Sequence, residues 1–262
     1  MIRLARTIAI TFGVLLAAAG NAQAITFGEF DGNRHPNVGA MVITIGSPPR
    51  PATLCSGTLI SPTVFLTASH CVDFLVTTLG GDPSDVAVTF DPVFDRATVT
   101  LHSGTAHQHP LYGSGGQSDG HDIATIVLDE PVLDRAPAQL PTRNQLAEMA
   151  LGEEWFTAVG YGLVRTDKRE GPNAFTTNNQ RNFVTQGFLS LQPAWLNLSM
   201  NPSTDNGGAC YGDSGGPHFL RDTDLLVSIT ITGDTPCRAT DKTYRTDTDS
   251  ARAFLDEFVT LP

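Results

Sequence analysis

The chain is poor in positive charge. Against 27 Asp and Glu it sets 16 Lys and Arg, a formal net charge of −11. Nucleic acid and anionic membrane both call for cationic surface, so neither is expected as a partner. Cysteine is scarce as well: Cys55, Cys71, Cys210 and Cys237, with no Cys-x-x-Cys pair among them. Zinc sites favour such close pairs, and His107-x-His109 lies in a Gly-rich stretch, Ser103 to Gly120, that reads as a surface loop. No metal and no other cofactor is expected. There is no repeat of solenoid period and no low-complexity tract. Long apolar runs are missing too, except for one at the very start.

That run, Ile8 to Ala19, follows Arg3 and Arg6 and ends in Ala22-Gln23-Ala24, small residues at the spacing of a cleavage site. Broken by Thr11 and Gly13, it falls short of the roughly 20 apolar residues of a membrane anchor. Residues 1–24 therefore read as a secretory signal peptide. The processed chain is expected to be soluble, exported to the periplasm or outside the cell, and free of membrane. Losing Arg3 and Arg6 and no acidic residue takes the net charge from −11 to −13. Residues 25–262 suffice for a sizeable core in one large or two small domains. In an exported chain four cysteines suggest two disulfides, and spacing alone leaves all three pairings open.

What is present in quantity is short β-branched runs separated by Gly, Pro, Asp and Asn. Val38 to Ile45, Gly57 to Leu66, Val86 to Phe90, Ala97 to Leu101 and Ile123 to Leu128 form one set. Trp155 to Val159, Phe183 to Leu191, His218 to Leu220 and Leu225 to Thr232 form a second, beyond a mixed connector from Asp129 to Glu153. Short strands with regular turn signals predict an all-β sandwich or barrel. At the end, Ala251, Phe254, Leu255, Phe258 and Val259 share one helical face, with Asp249 or Ser250 as the cap.

The chemistry is carried by Gly207-Gly208-Ala209-Cys210-Tyr211-Gly212-Asp213-Ser214-Gly215-Gly216-Pro217. So many glycines weaken packing and cost chain entropy, so the backbone itself must be needed there. Turning freely, it can aim the amides of Gly212 and Ser214 into one cleft beside the Ser214 hydroxyl, as an oxyanion hole requires. A serine nucleophile needs a histidine base and a carboxylate to orient it. Thr67-Ala68-Ser69-His70-Cys71 offers the first, and Asp122, just before Ile123-Ala124-Thr125-Ile126-Val127-Leu128, the second. Gly212-x-Ser214-x-Gly216 also satisfies the nucleophile elbow of α/β-hydrolases, but that fold needs an acid and then a histidine downstream, with alternating strands and helices. Only His218 follows Ser214, so that reading is rejected.

In this order the chain resembles the chymotrypsin/trypsin family of serine proteases, whose usual words are Cys-Gly-Gly-Ser-Leu-Ile, Thr-Ala-Ala-His-Cys, Asp-Ile-Ala-Leu, Gly-Trp-Gly and Gly-Asp-Ser-Gly-Gly-Pro. Here they read Cys55-Ser56-Gly57-Thr58-Leu59-Ile60, Thr67 to Cys71, Asp122 to Thr125, Gly160-Tyr161-Gly162 and Gly212 to Pro217. The resemblance implies two antiparallel six-stranded β-barrels, about 25–135 and 150–248, with a C-terminal helix at about 249–260 and the cleft between the barrels. It implies a monomeric endopeptidase acting on proteins or peptides, with His70, Asp122 and Ser214 as the triad. A non-catalytic relative of the same fold, acting as a binding or signalling protein, is the alternative. The family also implies the disulfides Cys55–Cys71 and Cys210–Cys237. It pairs Asp213 with an α-amino group made by proteolysis, and Ile25-Thr26-Phe27-Gly28 is similar to the family's Ile-Val-Gly-Gly start, so signal removal itself is expected to free the activating amine of Ile25. For the substrate pocket it implies Gly208, Tyr211, Ser228, Thr230 and Lys242. Gly208 replaces the aspartate of trypsin, which argues against strong preference for a basic residue, while Thr230 would narrow the slot and Lys242 would favour an acidic side chain.

Overall fold

The structure, a computed structural model, describes residues 25–165 and 174–262. The expected signal peptide lies outside the described residues. After a short β1 (Glu29–Phe30), six strands close the first barrel: β2 (Val38–Ile45), β3 (Arg50–Ser61), β4 (Val64–Thr67), β5 (Val86–Thr89), β6 (His102–Gln108) and β7 (Ala124–Leu128). Their order is β2-β3-β4-β7-β6-β5, with β5 returning to β2. Helix α1 (Ser69–Asp73) follows β4 directly. Between the barrels lie α2 (Gln145–Glu148) and a 3-10 turn.

The second barrel begins with β8 (Trp155–Gly160), followed by a small hairpin of β9 (Val164–Arg165) and β10 (Phe175–Thr176), then β11 (Asn182–Leu191), β12 (Trp195–Ser199), β13 (Pro217–Leu220), β14 (Leu226–Gly233) and β15 (Thr240–Arg245). Pairing runs β11-β12-β15-β14-β13-β8, and β8 closes back onto β11. Strand β1 adds to the edge of β11. Two closed antiparallel barrels leave few edges unpaired. Helix α3 (Asp249–Leu255) ends the chain's regular structure and buries Ala251, Phe254 and Leu255 in the main core.

One buried cation ties the barrels together. The Arg181 guanidinium, fully buried, donates to Asp31 Oδ2 at 2.7 Å and to the carbonyls of Val38, Phe90 and Gly32 at 2.9, 3.0 and 2.7 Å. Burial by itself would raise the Asp31 pKa, but the His35 hydrogen bond and the Arg181 charge outweigh it and hold it below the usual carboxylate value.

Several sequence expectations change. Gly57 to Leu66 is two strands, turned at Pro62 and Thr63. Ala97 to Leu101 is not a strand, because Asp95 captures it in a turn: Oδ1 accepts from Ala97 N and its carbonyl from Thr98 and Val99 N. The strand is the next segment, β6, whose first residues had read as the start of a loop. Strands β12 and β15 were not expected. Thr248, not Asp249 or Ser250, caps α3, its hydroxyl accepting from Ala251 N at 3.2 Å.

Candidate active site

Strand β4 delivers His70 into the first turn of α1, and β7 begins two residues after Asp122. The two meet twice: His70 N donates to Asp122 Oδ1 at 2.9 Å, and Nδ1 lies 2.9 Å from Oδ2. Asp122 is buried. Ser69 Oγ donates to Ile123 O at 2.6 Å, which ties the helix to the acid's own turn. With Nδ1 engaged by the carboxylate, Nε2 is the ring nitrogen left to exchange a proton.

The second barrel brings Ser214 to the same place. Ser214 O accepts from Ser56 N of β3 at 2.9 Å and lies 4.0 Å from Cys71 Sγ, next in sequence to His70. Between these segments there is room only for glycine: a Cβ on Gly215 would collide with Thr67 Oγ1 and stand 2.7 Å from Ala68 N. Gly212 takes φ +95° and Gly215 φ +76°, conformations that side chains disfavour. Asp213 N closes a turn on Cys210 O at 2.9 Å. Among the described residues, the amides of Gly212 and Ser214 donate to no protein acceptor, and His70 Nε2 and Ser214 Oγ have no protein partner, each other included. Catalytic hydrogen bonds commonly tighten only around a bound substrate.

Disulfides bracket the site: Cys55–Cys71 joins β3 to α1, and Cys210–Cys237 joins the Ser214 turn to the loop after β14. The sulfurs of Cys55 and Cys71 lie with His70 within 4.8 Å of one another. Bonded to each other, they offer no thiolate to a metal. Of the other histidine candidates, His109 stacks on His121 and packs against Phe254.

Asp213 turns inward and is almost wholly buried. Gly162 N donates to Oδ1 and Cys210 N to Oδ2, both at 2.8 Å. Burial pushes its pKa up to about 7, against the two backbone hydrogen bonds that pull it down. Among the described residues it makes no ion pair. Nearby, Ile25 is fully buried against Ala158 and Val184, while Thr26 and Gly208 exchange N–H···O bonds at 2.9 Å in both directions.

Beside Ser214 opens a cavity of about 240 Å³, lined by Ala209, Cys210, Tyr211, Thr230 to Thr235, Cys237 and Asp241. Of the residues singled out in the sequence for a substrate pocket, Tyr211 and Thr230 line this cavity. Gly208, Ser228 and Lys242 do not line it. Gly208 lies behind the wall: a Cβ there would meet Met200 Sδ and Cys237 O at 2.7 Å. Ser228 pairs with His218 on one side and Arg245 on the other, so its backbone is not free to bind a substrate strand. The exposed continuation of that wall is Ile231 to Gly233. Lys242 points away, its ammonium 4.0 Å from the centre of the Trp195 ring. Its neighbour Asp241 is the residue that faces the cavity. Nearly fully buried, Asp241 receives His218 Nε2 at 3.0 Å and Gln186 Nε2 at 3.1 Å on Oδ2, while Oδ1 has no partner. Strand alternation decides which of the two points inward, and the bulge between Thr230 and Thr232 shifts the register. Nothing in the sequence around position 241 signalled a pocket residue.

A family model described as Trypsin matches residues 29–255. A protein named trypsin from Saccharopolyspora erythraea is 26% identical over 211 residues, which span 76% of this chain and 82% of its own. A chymotrypsin-like elastase family member 1 from Canis lupus familiaris is 26% identical over 179 residues, 62% of this chain and 63% of its own. A chymotrypsin from Phaedon cochleariae is 27% identical over 202 residues, 72% of this chain and 67% of its own.

Proposed function

This chain belongs to the trypsin family, and from that premise we propose that it is a secreted serine endopeptidase with His70, Asp122 and Ser214 as its triad. Ser214 Oγ attacks the scissile carbonyl while His70 Nε2 takes its proton. Asp122, holding Nδ1–H, fixes the tautomer and stabilises the imidazolium that forms. The tetrahedral anion is received by the amides of Gly212 and Ser214. His70 then protonates the leaving amine, an acyl group remains on Ser214, and water releases it by the same steps in reverse. The observation that carries this reading is the doubled His70–Asp122 contact beside a turn in which the amides of Gly212 and Ser214 have no acceptor among the described residues. Cleavage of a peptide library by the processed protein, lost in Ser214→Ala, tests it. Equal cleavage by Ser214→Ala, or none by well-folded wild type, would overturn it, the latter leaving a binding protein of the same fold.

Activation follows from Asp213. A buried carboxylate with no cation costs stability when it ionises. Cleavage after Ala24 would place the new amine on Ile25, whose side chain is already seated two residues along β8 from Gly160, the glycine against which Asp213 packs. An ammonium there would satisfy Asp213 and hold the 210–216 turn in shape, so that signal removal and activation become one event.

The pocket reading changes with Asp241. Loss of an acid at Gly208 had argued against basic substrates, but β15 supplies a different carboxylate to the same cavity. With Oδ1 unpaired, Asp241 suits the cation of a lysine or arginine side chain. The free outer edge of Ile231 to Gly233 is placed to pair with the substrate backbone.

A further inference from the structure

Ser56 stands where the family's motif has glycine, and its side chain reaches the centre of the site. It is fully buried in β3 of the first barrel. Its hydroxyl donates to Gly212 O at 3.0 Å and accepts from Tyr161 N at 2.9 Å, both in the second barrel. Its amide donates to Ser214 O at 2.9 Å, and its carbonyl accepts from Thr67 Oγ1, three residues before His70, at 2.8 Å. All four hydrogen-bonding groups of one residue are thus used on the segments that build the site. Among the described residues, Ser56 Oγ is the partner of both Gly212 O and Tyr161 N.

Gly212 O belongs to the peptide that lies between the two peptides carrying the proposed anion donors, Gly212 N and Ser214 N. Peptides are planar, so fixing that carbonyl restricts ψ of Gly212 and φ of Asp213, and with them the angle between the donors. Gly212, at φ +95°, has the freedom to take other conformations if nothing holds it. The Ser56 main chain holds the Ser214–Gly215 peptide by Ser214 O, so the peptides on either side of the one carrying Ser214 N are fastened to one strand of the opposite barrel.

We propose that Ser56 is a positioning residue for the oxyanion hole: its hydroxyl locks the Gly212–Asp213 peptide so that both amides face the cleft before substrate arrives. This deepens the endopeptidase reading and rests on it. The device belongs to this chain's own residue, because glycine at the position has no group to hold the carbonyl. Such preorganisation acts on the developing anion and not on the ground-state substrate, so it appears in kcat more than in KM.

The test compares the processed wild type with Ser56→Ala and with Ser56→Thr, which keeps a hydroxyl. For Ser56→Ala the expected result is a kcat lower by roughly 10- to 100-fold with KM within twofold. A peptide boronate, which mimics the tetrahedral anion, should weaken by a similar factor, while a product-like peptide binds unchanged. Ser56→Thr should recover part of the loss. Hydrogen exchange supplies a readout that needs no turnover: the Tyr161 and Asp213 amides should exchange faster in Ser56→Ala, with the remaining barrel amides unaltered. If Ser56→Ala fails to fold, Ser56→Gly takes its place. A folded variant with kcat within twofold of wild type and unchanged exchange at residues 161 and 213 would overturn the proposal. Wild type that cleaves nothing, yet shows the exchange difference, would overturn the endopeptidase reading while leaving Ser56 as the anchor of the turn.

Discussion

His70 and Asp122 are bound to each other through two separate atoms of each: backbone N to Oδ1 and ring Nδ1 to Oδ2, both at 2.9 Å. One contact would orient a ring; two fix the carboxylate plane to the helix that carries the ring. Asp122→Asn replaces one acceptor by a donor and breaks the Nδ1–H tautomer. On the order of a 10⁴-fold fall in kcat is expected, the scale seen for that change in a Ser-His-Asp triad, with the fold and KM nearly intact. Steady-state kinetics on a peptide amide, with a thermal melt as control, checks it; a loss below tenfold would remove Asp122 from the triad.

Asp213 predicts opposite pH behaviour before and after processing. Where an N-terminal extension blocks the amine, Asp213 titrates near pH 7 in the folded chain and about 4 in the unfolded one. The folded state then holds the extra proton, so stability is greatest below about pH 4 and falls as pH rises towards 7. Asp213→Asn should abolish that slope. In the processed chain a charged amine reverses the effect, and on the alkaline side both activity and stability should fall as the amine deprotonates, above about pH 8. Denaturant melts from pH 4 to 9 on both forms decide it, with N-terminal sequencing of the secreted protein. A fully active form starting elsewhere than Ile25 would contradict the activation scheme.

Asp241 makes the pocket's preference testable. Across peptides differing only at the cleaved residue, kcat/KM should be highest after Lys or Arg, and Asp241→Asn should lower it by about 100-fold for those peptides, the loss expected when one partner of a buried charge pair is removed, while sparing apolar ones. Fastest cleavage after Phe or Leu in wild type would contradict the role given to Asp241.

Thr248 offers a check away from the chemistry. Thr248→Ala removes the hydroxyl that caps α3 and should cost about 1 kcal/mol in a denaturant melt, with activity unchanged.

The words around the site were legible where close contacts dictate the residue type: only glycine fits at 215, where a Cβ would meet Thr67 Oγ1, Ala68 N and Ser56 O. Strands with apolar inward faces, such as β2 and β7, were legible for the same kind of reason. The strands that escaped notice fill the barrels differently. In β6 the buried positions are Gly104 and Ala106, small because Gly104 packs directly on β7. In β15 the buried alternate residues are Asp241, Thr243 and Arg245, whose polarity is answered by His218, Ser228 and Asp247. A polar sequence with buried partners looks like a loop until the partners are in view. The place of Asp241 was hidden for a related reason: motif spacing does not reveal a bulge, and the one in β14 between Thr230 and Thr232 shifts its register on β15.

Everything rests on Ser214 being a nucleophile activated by His70. Its most direct test is labelling of the processed protein with a peptidyl phosphonate, read by intact mass and by mapping of the modified peptide. A single adduct on Ser214 is expected, absent from Ser214→Ala and slowed at least 100-fold in His70→Ala. Folded wild-type protein that takes up no label, or takes it up at any residue other than Ser214, would contradict the account.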